Sequence, residues 1–184
     1  MNNQQQRSED VLSFWFTEIE RKLRFGKDPE FDQQIVNRFS SLHLKARSGE
    51  LFDWRGSASG SLAEIIILDQ FSRNIFRDHA EAFAYDTLAL VLAQQAIEKN
   101  FDRDLDTEKK AFLYMPFMHS ESLAIHTIAV VLFGQPGLED NLRFELRHKA
   151  IIDEFGRYPH RNAILGREST VQETQFLLLP GSAF

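Results

Sequence analysis

Three short stretches of this chain concentrate side chains able to bind or to move protons. The first holds Asp69, Gln70, Arg73 and Asn74, the second His119, Ser120 and Glu121, and the third Arg157, His160, Arg161 and Asn162. In the first, Asp69 and Arg73 stand four residues apart, as do Gln70 and Asn74, so a helix would set each pair side by side. That spacing predicts a salt bridge and an amide pair. Such groups either fix helix packing or line a polar cavity that holds a ligand. In the third stretch, guanidinium forks match planar carboxylates and phosphates. A helix beginning just after Pro159 would add backbone N–H groups facing an anion. The alternative is that these arginines cap carbonyls of the preceding helix and pair with acids elsewhere. An enzyme built from these parts would use His119 or His160 as its acid–base group. Arg73, Arg157 or Arg161 would hold an anionic substrate, and Asp69 or Glu121 would orient the imidazole.

Other chemistries find no support. His119, Ser122 and His126 form one stripe if their helix begins early, but the two histidines are then about 10.5 Å apart along the axis. Ligands of one zinc ion each sit about 2.0–2.1 Å from it, so no metal site is expected. His126 reads as a core histidine bonded to a carbonyl or carboxylate. His148, on a stripe with Phe144, Ile151 and Phe155, reads the same way. Ser120 lacks the glycine context of a nucleophile elbow. There is no phosphate loop or dinucleotide fingerprint, and no cofactor is expected.

The elements that must position these residues are helices. Ser8 caps one over about 8–22, and Asp28-Pro29 starts another that Gly49 closes. Ser61 and Glu64 have the spacing of a capping box, opening a third helix over about 61–76. Helices follow over about 86–99, 107–115, 120–133 and 139–155, with Pro116 breaking or kinking the fifth. Thr170 and Glu173 form a second capping box for a short last helix. The third and sixth helices are apolar on almost every face, so both should be surrounded by protein. No segment alternates as a strand would. The expectation is an all-α protein of about seven main helices in antiparallel hairpins, a single domain over 1–184 with 1–7 as a flexible polar tail.

The chain has 184 residues, of which 43% are hydrophobic and 26% charged, as in an ordinary globular protein. Only 9 glycines and 5 prolines are present, too few for an all-β fold turning every ten residues. The absence of cysteine excludes disulfides, thiolate metal sites and a cysteine nucleophile. A net charge of −6 argues against nucleic acid and anionic membranes as partners. The longest apolar run, Ile128 to Phe133, is far short of the roughly 20 residues of a membrane span. With no signal peptide, the expected location is the cytoplasm.

Four blocks in order resemble the signature of a bacterial family, domain of unknown function 924. They are Leu-Asp-Gln-Phe-Ser-Arg-Asn-Ile-Phe-Arg (68–77), Ala-Phe-Ala-Tyr-Asp (82–86), Tyr-Met-Pro-Phe-Met-His-Ser-Glu (114–121) and Phe-Gly-Arg-Tyr-Pro-His-Arg-Asn (155–162). Val-Leu-Ser-Phe-Trp-Phe (11–16) and the terminal Pro-Gly-Ser-Ala-Phe (180–184) are similar to its ends. The resemblance implies a tetratricopeptide-like α-α superhelix and no activity. Ser72 stands where the family often has proline, and Tyr158 where phenylalanine is common. The blocks coincide with the three polar stretches, so at least two of these should lie within hydrogen-bonding reach of each other.

The functional expectation is a tetratricopeptide-like binding module for a small anionic ligand or a peptide or protein partner. The alternative is an enzyme acting on a small anion with His119, His160 or Glu121 in catalysis. Asp69, Gln70, Arg73, Asn74, His119, Arg157, His160, Arg161 and Asn162 are the candidate ligand-binding residues. Oligomeric state is left open.

Overall fold

The helices follow from apolar periodicity and from side chains that close the helix ends. The computed structural model describes residues 7–182. Residues 1–6 of the expected tail lie outside the described residues, as do Ala183 and Phe184 of the terminal motif. Nine α-helices run through the described residues: α1 Ser8–Ser13, α2 Pro29–Arg47, α3 Ala58–Ile66, α4 Ser72–Ile75, α5 Asp86–Glu98, α6 Thr107–Met118, α7 Leu123–Phe133, α8 Glu139–Phe155 and α9 Val171–Leu177. The described residues contain no strand, as the all-α expectation requires. None of these helices is long and apolar enough to cross a membrane.

Two helices carry a wider turn that periodicity did not foretell. After Ser13 the chain continues as a π turn over Phe14–Glu18, and the first helix ends there rather than near residue 22. Between α3 and α4 a second π turn occupies Ile67–Phe71, the turn that carries Asp69 and Gln70. Such turns insert one residue into a helix and often lie at functional positions. Ser72, which follows the second, donates through Oγ to the Leu68 carbonyl at 2.6 Å.

The third helix also starts earlier than expected. Ser57 is its cap, with Oγ accepting from Gly60 N at 3.1 Å. Glu64 closes no capping box with Ser61; it is wholly buried and takes both bonds of Arg55, each 2.7 Å. Gly60 allows the helix to approach the Phe52–Gly56 turn, because a Cβ there would lie 2.1 Å from the Trp54 carbonyl oxygen. At the other end of the chain the Thr170–Glu173 capping box forms as predicted. Gly156 closes α8 in the left-handed conformation, φ 69°. Pro116 does not end its helix. It lies in the last turn of α6, where a single backbone bond is lost, and α6 runs on to Met118.

The described residues form two compact units, one of residues 7–77 with 81–116 and one of 78–80 with 117–182. The first has an aromatic core. Phe39 lies 4.9 Å from Phe14 and 4.8 Å from Phe71, and Trp15 lies 5.4 Å from Phe71 and 5.8 Å from Phe112. Tilted and edge-on pairs of this kind add about 0.5–1.5 kcal/mol each beyond the area they bury. In the second unit α7 packs along α8. The expectation that the sixth helix is surrounded by protein fails here: Leu123, Ile128 and Val131 of α7 are 49%, 46% and 72% exposed.

Candidate functional site

In the first unit the polar stretch belongs to a network of matched charges. Asp69 is buried on the π turn and accepts from the neighbouring Gln70 Nε2 at 2.5 Å. Gln70 also lies 3.5 Å from the Met115 sulfur, so the expected amide pair with Asn74 is absent. Gln70 turns to Asp69 and Met115, and Asn74 donates instead to Asp32 at 2.8 Å. Arg77 binds the same carboxylate with Nε and Nη2. Arg73 donates to the carbonyl of Asp69 and approaches its carboxylate at 3.4 Å, but its fork closes on Asp86, at 3.0 and 3.1 Å. His43, buried nearby, meets Ser72 Oγ at 2.8 Å. That oxygen already donates to Leu68, so the histidine is the donor.

In the second unit two of the three stretches meet, as expected. Glu121 Oε1 accepts from the backbone N–H of Tyr158 at 2.7 Å. Arg167 holds both Glu121 oxygens, at 2.6 and 2.9 Å. Burial pushes the Glu121 carboxyl up, but the bonds from Arg167 and Tyr158 outweigh it and leave the group below its ordinary range. Arg157 donates to both oxygens of Glu173, at 2.6 and 2.8 Å, and to the carbonyl of Glu168. That fork holds the Glu173 carboxyl down to about 2. Asn162, 1% exposed, accepts from Arg167 Nε at 3.0 Å and donates to Ser169 at 3.1 Å.

Tyr158 is the centre of this unit, a wholly buried ring. The rings of His126, His148 and His160 lie 6.2, 5.7 and 5.5 Å from it, and the Arg161 guanidinium lies 4.6 Å over its face. Its hydroxyl donates to the Met118 carbonyl at 2.5 Å. The hydroxyl that distinguishes tyrosine from phenylalanine here is therefore fully used. His126 meets both a carbonyl and a carboxylate, Ser120 O at 2.8 Å and Glu145 Oε1 at 2.7 Å. His148 donates through Nδ1 to the Phe144 carbonyl at 2.8 Å, and burial lowers it to about 3. His119 is half-buried and acts electrostatically on Glu145 and His148. After Pro159 the helix is a single turn, Pro159–Arg161, and the N–H groups of Arg161 and Asn162 bond back to Tyr158 and Pro159. Among the described residues no cluster of three or more His, Asp or Glu side chains could hold a metal ion.

The model of the bacterial protein of unknown function family DUF924 matches residues 11–181. The chain belongs to that family. The chain is similar to a solved structure, ATU0120 of Agrobacterium tumefaciens, a protein of unknown function. The two share 38% identity over 92% of this chain and 96% of that one, with a TM-score of 0.88. No curated protein matches.

Sequence reasoning missed Glu145, Asp86 and Arg167 as partners, and the bond of Arg157 to the capping-box Glu173, which complete these networks. One signal was available. Glu145 falls on the buried row of α8 with His148 and Ile152, at steps of three and four, where an unpaired acid would be costly. The row assumed for His148 was rotated, since Phe144 is 50% exposed.

Proposed function

We propose that this family member is a binding module whose partner is a peptide or protein, docked on the outer face of α7. The observation that carries the reading is that face. From Leu123 to Phe133 the helix has no charged side chain, and Leu123, Ala124, Thr127, Ile128 and Val131 are all exposed. At about 100° per residue they share an arc of roughly 140°, the width of an apolar stripe that ordinarily faces a neighbour. Its chemistry selects an uncharged, apolar surface, such as the stripe of an amphipathic helix, because a charge set against it would be desolvated without a counter-charge.

The reading of a small anionic ligand loses support where its residues are already engaged. Arg73 and Arg157 close bidentate forks on Asp86 and Glu173, and Arg167, which that reading did not include, closes one on Glu121. An incoming anion would have to displace an internal carboxylate from each. Glu121, offered as an orienting base, accepts from a guanidinium and a backbone amide. A tetratricopeptide-like arrangement, in which stacked helices present a face to a peptide, agrees with the docking reading.

Photo-crosslinking tests it. A photoreactive residue at Val131 in cells of the host should join to an apolar helical segment, and Ile128→Asp should abolish the product. The same residue at Asp153, on the exposed side of α8, should not give it. Products shared by both positions, or unchanged by Ile128→Asp, would overturn the docking face. Size-exclusion chromatography over a concentration series separates a second copy of the chain from a different partner.

A further inference from the structure

His126 and Glu145 are both wholly buried, on α7 and α8. His126 Nε2 lies 2.8 Å from the Ser120 carbonyl oxygen and 3.1 Å from the Tyr158 hydroxyl. A carbonyl only accepts, so Nε2 carries a hydrogen. The Tyr158 hydrogen is committed to Met118, which leaves that oxygen an acceptor toward Nε2 as well. The other nitrogen, Nδ1, faces Glu145 Oε1 at 2.7 Å. With both atoms bare, two lone pairs would confront each other at hydrogen-bond distance, so one proton lies between them. The far oxygen indicates which group owns it. Glu145 Oε2 is buried with no hydrogen-bond partner. A bare buried carbonyl oxygen is a modest cost, whereas a bare buried oxygen of an ionised carboxylate is a severe one.

We propose that Glu145 is a neutral carboxylic acid at neutral pH, donating from Oε1 to His126 Nδ1, and that this proton clamps α7 onto α8. Burial pushes the Glu145 carboxyl up, and the bond and charge of His126, with His119 and Lys149, pull it only part of the way back. The titratable and charged groups around the pair are His148 and Lys149 on α8, His119 before α7, and Tyr158 and Arg161 in the turn after α8.

The clamp has a proton count. In the folded chain the pair holds one proton. Unfolded, a glutamate and a histidine hold one between pH about 4.3 and 6.5 and none above. Folding therefore takes up one proton only above pH about 6.5, and the native state loses stability as pH rises from there. When the proton leaves, a buried carboxylate faces a lone pair and α7 loosens. Given the docking reading, on which this consequence alone rests, the face is presented rigidly at neutral pH and less so in alkali.

Urea titrations of the whole chain from pH 6.5 to 9 test the clamp against Glu145→Gln. The carboxamide keeps a donor toward Nδ1 without a titrating proton. The wild-type folding constant should fall about tenfold per pH unit relative to the variant. Parallel profiles would overturn the clamp. Calorimetric unfolding of wild type at pH 8 in buffers of different ionisation enthalpy keeps the idea testable if the variant does not fold. One proton released from the pair per chain is expected, and none would overturn it. Neither measurement involves a partner, so a flat wild-type profile sinks the clamp alone, and a face that captures nothing sinks the docking reading alone.

Discussion

Arg73 reaches beyond Asp69, one turn back on its own helix, and closes its fork on Asp86, the first residue of α5. Helical spacing could supply the nearer partner but not the one that fits the fork. The arginine side chain is 22% exposed, Asp86 13% and Asp69 1%. Two poorly hydrated carboxylates thus share one guanidinium. Arg73→Ala should lower stability by about 3 kcal/mol, the low end for breaking a buried pair because water reaches one side. Arg73→Lys should recover only part of it, since an ammonium cannot span both Asp86 oxygens. Urea midpoints measure both, and a neutral alanine variant would mean that solvent supports these acids.

His43 contributes to the acid side of the stability profile, as the more strongly lowered His148 also does. Burial, with a smaller effect from the charge of Arg47, lowers His43 to about 4 from an ordinary 6.5. Its Nε2–H is held by Ser72, between the rings of Phe76 and Tyr85, each 5.2 Å away. Because the folded value is depressed, the unfolded chain binds the extra proton first. The stabilisation is complete above pH 6.5 and is lost as pH falls toward 4, by about 3 kcal/mol. His43→Gln retains a donor to Ser72 and removes this titration. Between pH 7 and 4.5 the wild type should lose more stability than the variant; equal losses would show that His43 is protonated in the folded chain.

Much of the helical layout was legible in the sequence because caps and periodicity are local. Pro29, Gly156 and the Thr170–Glu173 box act within one turn and worked as read. The π turns were not legible, because one inserted residue leaves the apolar pattern almost intact while rotating everything after it. In and after the second of them, Gln70 pairs with Asp69 and Asn74 with the distant Asp32, not with each other. The candidate residues were legible as groups needing partners, and the meeting of Glu121 with the Tyr158 turn follows from that need. Their partners were not, since Arg157 to Glu173 and Arg167 to Glu121 span 16 and 46 residues. The exposed arc of α7 was misread for a related reason: apolar composition shows that a face seeks cover, not whether the same chain provides it.

Engaged arginines also predict how the protein responds to anions. Thermal shifts against phosphate, sulfate and small carboxylates at fixed ionic strength should be flat, because the forks of Arg73, Arg157 and Arg167 already hold carboxylates. A bound anion at a hundredfold excess over Kd would stabilise the fold by about 2.7 kcal/mol, well above detection. Ionic strength is held constant so that general screening does not imitate binding. A saturating shift that disappears in Arg161→Ala would restore the anion reading at the Tyr158 turn.

A substitution at Gly60 separates close packing from helix propensity. Alanine is favoured over glycine inside a helix by about 1 kcal/mol, so Gly→Ala in α3 would ordinarily stabilise. Here the added carbon would lie 2.1 Å from the Trp54 carbonyl oxygen and 2.9 Å from its carbon, both backbone atoms. The carbonyl is held in the Phe52–Gly56 turn, where it accepts from Ser57 N at 3.3 Å, and Ser57 is itself the helix cap. Relief would require moving the turn that also carries Arg55, and with it the two bonds that neutralise buried Glu64. Gly60→Ala should therefore destabilise by roughly 1–3 kcal/mol, as overpacking does elsewhere. Gly56 is the control, because a carbon added there meets nothing within 4 Å. Urea titration should find Gly56→Ala near neutral and Gly60→Ala clearly weaker. If the two are equal, the turn yields freely and the approach of α3 to Trp54 contributes nothing to the fold.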